Sequence, residues 1–258
     1  MPQLQGPTGV FAVVLLEFAL GSLAVLWVTP VWGVVKRGVF LLVAFSVVTC
    51  ALCATLVARG PLAELADAKT APAALYTFTA LSAAFTAALL AKRMAVARVL
   101  GILGVPAGIW AVVALALLRG DAVAGVAAML TGAAFLGATW DGMVLGHWYL
   151  VDRKLTVRPM KALAVAFTAG IALAVVSALL AKGGRVSADE ATFNPLLYVT
   201  DLTLYLAIGL VGVNALLAFF VHKLVNEGSI RAATGMLYLA VIMAFAAELA
   251  AKARFFTV

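Results

Sequence analysis

Gly137-Ala-Thr-Trp-Asp-Gly-Met-Val-Leu-Gly-His-Trp-Tyr-Leu-Val-Asp-Arg-Lys-Leu-Thr-Val-Arg-Pro-Met-Lys161 is the stretch that decides the fold. It starts inside an apolar run that opens at Ala122 and ends in the most basic loop of the chain, with Arg153, Lys154, Arg158 and Lys161 close together. A long apolar run followed at once by clustered Lys and Arg is the pattern of a membrane-spanning helix meeting an inner-side loop.

Outward from there the pattern repeats. Runs long enough to cross a bilayer lie near Val10–Thr29, Val39–Val57, Ala71–Ala91, Val96–Leu118, Ala122–Val151, Ala162–Ala181, Leu196–His222 and Ala232–Ala251. Hydrocarbon offers no partners to backbone N–H and C=O groups, so each crossing is expected to be α-helical. The hydrophobicity is continuous and does not alternate, which excludes a β-barrel. The expectation is therefore an all-α, polytopic membrane bundle of eight transmembrane helices, one membrane domain over residues 1–258. Short connections imply antiparallel neighbours. Gly101, Gly104, Pro106 and Gly108 predict a kinked or closely packed fourth helix.

Composition agrees. The chain is 66% hydrophobic and 11% charged, against roughly 25% charged in a soluble domain. Its net charge of +7 sits in the gaps between apolar runs, where it reads as a topology signal and not as a nucleic-acid surface. The loops after the first, third, fifth and seventh runs hold eleven Lys and Arg, and the opposite side holds seven. The positive-inside rule then puts both termini outside, in a multi-pass protein of a bacterial inner membrane. Two of those seven, Lys252 and Arg254, read as snorkelling residues at the end of the last helix. No Lys or Arg precedes the first run, which reads as a retained helix and not as a secretory signal.

Ionisable residues inside membrane helices are costly and mark function by default. Here they are Glu17, Asp141, His147, Asp201, His222 and Glu248. The expected topology places Glu17, Asp201 and Glu248 in the outer half and Asp141, His147 and His222 in the inner half. On the seventh helix, Tyr198, Asp201 and Tyr205 share a face that Gly209 and Gly212 continue. Two phenols and a carboxylate can bind a quinone headgroup, with Tyr donating to a quinone carbonyl and Asp accepting a quinol proton. The alternative is an interfacial aromatic belt over a packing seam. Glu17, Asp141 and Glu248 are the proton-transfer candidates.

On the fifth helix, Gly142 and Gly146 have the spacing that favours close approach of a neighbour. His147 suits proton or quinone chemistry, or with Trp148 and Tyr149 anchors the helix end at the headgroups. His147 and His222 both end helices at the inner side, so they could hold one bis-His b-haem. His222, next to Lys223, also reads as a helix-end residue. Glu248 and Lys252 form an i, i+4 pair, read as an interfacial ion pair or as part of a proton path. Glu17 has no base within a turn on its own helix and needs one from another. Cys50 and Cys53 read as small packing residues. Zinc, P-loop and dinucleotide motifs are absent, and no metal site is expected.

Ala246-Ala-Glu-Leu-Ala-Ala-Lys-Ala-Arg-Phe-Phe256 resembles the close of the membrane anchors of DMSO-reductase and polysulfide-reductase (NrfD-like) enzymes. There a final helix carries Glu, then a basic residue, then aromatics. Leu16-Glu-Phe-Ala-Leu-Gly-Ser22 is similar as well, and the eight-helix plan is compatible. The resemblance implies a quinone-reactive anchor without its own iron–sulfur cluster, docked to iron–sulfur, cytochrome, hydrogenase or molybdenum subunits. Glu17, Asp201 and Glu248 would then serve an outer quinol site and its proton exit. The competing expectations are a b-haem cytochrome, a proton-coupled secondary transporter, and a structural membrane subunit.

Overall fold

A computed structural model describes residues 7–65, 70–152, 155–181 and 201–256. These hold eight helices long and apolar enough to cross a membrane: α1 Pro7–Val28, α2 Arg37–Ala63, α3 Thr70–Leu90, α4 Met94–Ala116, α5 Ala122–Val151, α6 Arg158–Ala181, α7 Leu202–Asn226 and α8 Ile230–Lys252. No strand occurs among the described residues.

α1 is the axis. It is apolar on every side, the mark of a helix surrounded by protein, and α2, α4, α5 and α8 pack around it. α5 is its main partner and also carries α6 and α8. α3 lies outside α2 and α4, and α7 lies outside α6 and α8. Helices α1 and α5 run in the same direction, whereas α6 and α8 run opposite to them.

Glycine sets how closely these helices approach, as expected where lipid gives helices no hydrophobic reason to associate. Gly21 of α1 and Gly137 of α5 meet backbone to backbone, so a Cβ on either would collide with main-chain atoms of the other helix. The expected close packing of α4 is present: Gly101, Gly104 and Gly108 receive Trp27, Leu23 and Leu20 of α1. Of the Gly142/Gly146 pair, Gly146 makes the tight contact, against Thr234 of α8.

The helix ends are closed in recognisable ways. α7 ends with Gly228 at φ +76°, Ser229 N–H donating to Leu224 O and Gly228 N–H to Val225 O, a Schellman motif. α3 ends in the same pattern, Arg93 N–H to Ala88 O and Lys92 N–H to Leu89 O, but with Lys92 in the left-handed position at φ +60°. α1 stops at Val28, ahead of Pro30. At that end Trp27 of α1 stacks on Trp32, centroids 4.6 Å apart, and Arg98 lies 5.1 Å from the Trp32 ring.

Two sequence expectations shift. α2 continues past Val57 and through Pro61 to Ala63. α7 begins at Leu202, with Asp201 in front of it at φ +62°.

Candidate functional site

The midpoint of α1 carries Glu17, fully buried in the axis of the bundle. The end of α8 carries Glu248 and Lys252 one turn apart, both buried. Because α8 packs on α1, these groups meet. Lys252 Nζ lies 2.8 Å from Glu17 Oε1 and 2.8 Å from Glu248 Oε2. It also donates to Ser177 Oγ of α6 at 2.7 Å. An ammonium has three protons, and these three oxygens take them. Ser177 in turn reaches Glu248 Oε2 and the Ala128 carbonyl of α5, both at 3.0 Å.

Gly132 of α5 makes the room. A Cβ there would stand 2.8 Å from Glu248 Oε2, 2.9 Å from Glu17 Oε2 and 3.0 Å from Ser177 Oγ. Four helices therefore build one polar centre, and one of them contributes by lacking a side chain. Glu17 Oε2 has no hydrogen-bond partner among the described residues.

The centre corrects the reading of Lys252 as a snorkelling residue. Its side chain is wholly buried because the end of α8 lies against α5 and α6. The Glu248–Lys252 pair is an intrahelical ion pair, as its spacing indicates, but it sits inside the protein and not at the interface. Arg254 is buried too. Toward the helix ends lies a cap: Arg119 donates to Leu180 O at 2.9 Å and stands 4.9 Å from the buried Phe255 ring. Burial pushes the Arg119 guanidinium below its ordinary range, and Asp121 partly offsets this.

The other expected site residues lie apart from this centre. Tyr198 falls outside the described residues. Asp201 precedes α7 in a left-handed conformation, and its carbonyl accepts the Tyr205 N–H at 2.9 Å. Tyr205 is 68% exposed, and nothing within 4 Å would meet a Cβ at Gly209 or Gly212. That face is therefore open and is not a packed seam among the described residues. It does stand at the centre's end of the bundle. Ala178 and Ala251, each adjacent in sequence to a centre residue, pack on Ala207 of α7.

His147 is exposed, with its Nδ1 3.0 Å from Tyr238 Oη of α8. His222 Nε2 lies 2.8 Å from Thr168 Oγ1 of α6. The two imidazoles thus bond to different helices. Cys50 and Cys53 are free thiols, Cys53 exposed. Asp141 is buried, with Ser22 of α1 as its polar neighbour.

The chain matches no family model, no curated protein and no solved structure. Its likeness to the reductase anchors therefore rests on the two short segments that carry Glu17 and Glu248.

Proposed function

We propose that this multi-pass membrane protein exchanges protons inside the bilayer at the Glu17–Lys252–Glu248 centre, in the service of a quinone/quinol site. The charge count carries the reading. Two carboxylates share one ammonium where no water reaches, and an uncompensated charge is expensive in such surroundings. The neutral state of the centre has one carboxyl protonated, and the Glu17 oxygen without a partner is the place for that proton. Loss of that proton leaves a net negative charge in hydrocarbon, so the centre holds or passes on one proton in step with a nearby redox change.

Tyr205 supports the quinone half. Its phenol is exposed on α7, one turn from Asp201, and Ala207 of α7 packs on Ala178 and Ala251 beside the centre. A quinone carbonyl there accepts from the phenol. The quinone-reactive anchor reading adds redox partner subunits, a bacterial inner membrane and termini on the outer side, the last supported by the basic loops after α1, α3, α5 and α7.

Photolabelling with an azidoquinone tests this. Labelling within the Leu202–Leu210 segment, competed by unlabelled quinol and reduced in Tyr205→Phe, is expected. Labelling spread evenly over the lipid-facing helices, without competition, contradicts the quinone site. The convergence of four helices on one buried proton centre favours proton-coupled transport as the second reading. The b-haem reading gains no support from the separate partners of His147 and His222.

A further inference from the structure

Helices α5 and α8 part at the end of the bundle remote from the proton centre. Gly146 of α5 and Thr234 of α8 are in tight contact. One turn further along each helix, Leu150 and Ile230 both line an open cavity of about 580 Å³, a size in the range of small-molecule sites. The α5–α6 connection adds Leu155 and Val157 to the lining, and the turn into α8 adds Gly228, Ser229 and Arg231.

Both walls are held by their own hydrogen bonds. On one, the buried Tyr149 phenol donates to the Thr156 carbonyl and ties the connection to the last turn of α5. On the other, Gly228 at φ +76° and the Schellman bonds of α7 fix the turn.

The lining is amphipathic. Leu150, Leu155, Val157 and Ile230 are apolar, whereas Arg231 is an exposed cation. Its guanidinium has no ion pair or hydrogen bond among the described residues. The Ser229 hydroxyl caps no backbone group of α8. No acid is among the lining residues. Arginine matches a phosphate well, because two of its N–H groups can bond two phosphate oxygens at once.

The cavity opens where α5 ends and α8 begins, the level at which phospholipid headgroups meet spanning helices. Basic pockets between membrane helices are known sites for lipid headgroups. One arginine balances one net negative charge. A zwitterionic headgroup brings an ammonium as well, and the lining offers that group no carboxylate.

We propose that this cavity holds the headgroup of an anionic phospholipid, with its phosphate on Arg231 and Ser229 and its glycerol against Leu150, Leu155 and Ile230. The sequence counts Arg231 among the eleven basic residues that set topology, and the cavity is what distinguishes it from them.

The test does not depend on the proton centre. Protein stripped of lipid in detergent is melted with phosphatidylglycerol, with phosphatidylcholine of the same acyl chains, or with inorganic phosphate. Phosphatidylglycerol is expected to raise the melting temperature by several degrees, phosphatidylcholine much less, and inorganic phosphate not at all. Arg231 is exposed and unpaired, so Arg231→Gln is expected to fold and to need several-fold more phosphatidylglycerol for half the shift. Lys223→Gln alters an exposed cation at the same end of the bundle but outside the lining, and is expected to respond as the wild type does. Native mass spectrometry is expected to find one retained phosphatidylglycerol per wild-type protein and none in Arg231→Gln. Equal shifts with the two lipids, or equal losses in the two variants, overturn the proposal in favour of general lipid solvation or a diffuse positive surface. A shift with inorganic phosphate as large as that with phosphatidylglycerol overturns the lipid and assigns the cavity to a free anion.

Discussion

Lys252 Nζ and Glu17 Oε1 stand 2.8 Å apart, with both side chains wholly buried. The pair joins the middle of the axial helix to the last turn of the final one, and Glu248 shares the same ammonium. Removing one partner from a buried ion pair costs about 3–5 kcal/mol, because the other charge stays buried alone. Lys252→Met strands two carboxylates and is expected to fall in that range, measured by reversible denaturation in mixed micelles. Glu17→Gln/Glu248→Gln/Lys252→Met is expected to recover most of the loss. A triple variant as unstable as the single one would show that packing, and not charge, was disturbed.

Gly132 tests the geometry of the centre without touching a charge. Its added Cβ meets three oxygens that belong to α1, α6 and α8, and overpacking of this kind costs about 1–3 kcal/mol. Gly132→Ala is expected to lower stability by that amount. Gly209→Ala, where the Cβ meets open space, is expected to leave stability unchanged or slightly raised. Equal effects at the two positions would remove the steric argument.

The α1–α5 crossing is less forgiving than the α1–α4 one. Cβ atoms at Gly21 or Gly137 meet backbone, whereas one at Gly104 meets the end of the Leu23 side chain, which can turn aside. Gly21→Ala and Gly137→Ala are each expected to lose more folded protein than Gly104→Ala, scored by size-exclusion yield after mild solubilisation.

Lys92 closes α3 with φ +60°, a conformation that costs a residue with a side chain about 1–2 kcal/mol relative to the right-handed region. Lys92→Gly removes that strain while it loosens the unfolded chain. A net gain of about 0.5–1 kcal/mol is expected. A loss would mean that the Lys92 side chain makes a contact worth more than the strain.

The hydropathy of the chain carried most of the fold. Eight runs with basic gaps lead to eight helices because membrane helices announce themselves by length and apolarity alone. The last acid–base pair was legible from its i, i+4 spacing. Glu17 was legible as an acid in need of a base, and its base was not, because pairing α1 with α8 depends on which helices pack. Ser177 and Gly132 carried no signal at all: a serine and a glycine in apolar helices become parts of a site only once four helices are assembled. Lys252 misled because a lysine at a helix end ordinarily faces the headgroups, and the next residues of this chain, with Arg254 and Phe255 buried, show that the end of α8 is instead covered. Asp201 lies where the described part of α7 starts, and its expected neighbour Tyr198 falls outside the described residues.

The central claim is that one carboxyl of the Glu17–Lys252–Glu248 centre holds an exchangeable proton. Infrared difference spectroscopy of the purified protein, stepped from alkaline to acid, reads the C=O stretch of protonated carboxyls directly. A band from a buried carboxyl that is missing in Glu17→Gln, while Glu248→Gln retains or shifts it, is the expected result. A spectrum with no buried-carboxyl band at any pH, identical in wild type and Glu17→Gln, would contradict the claim and leave the centre as a fixed structural clamp.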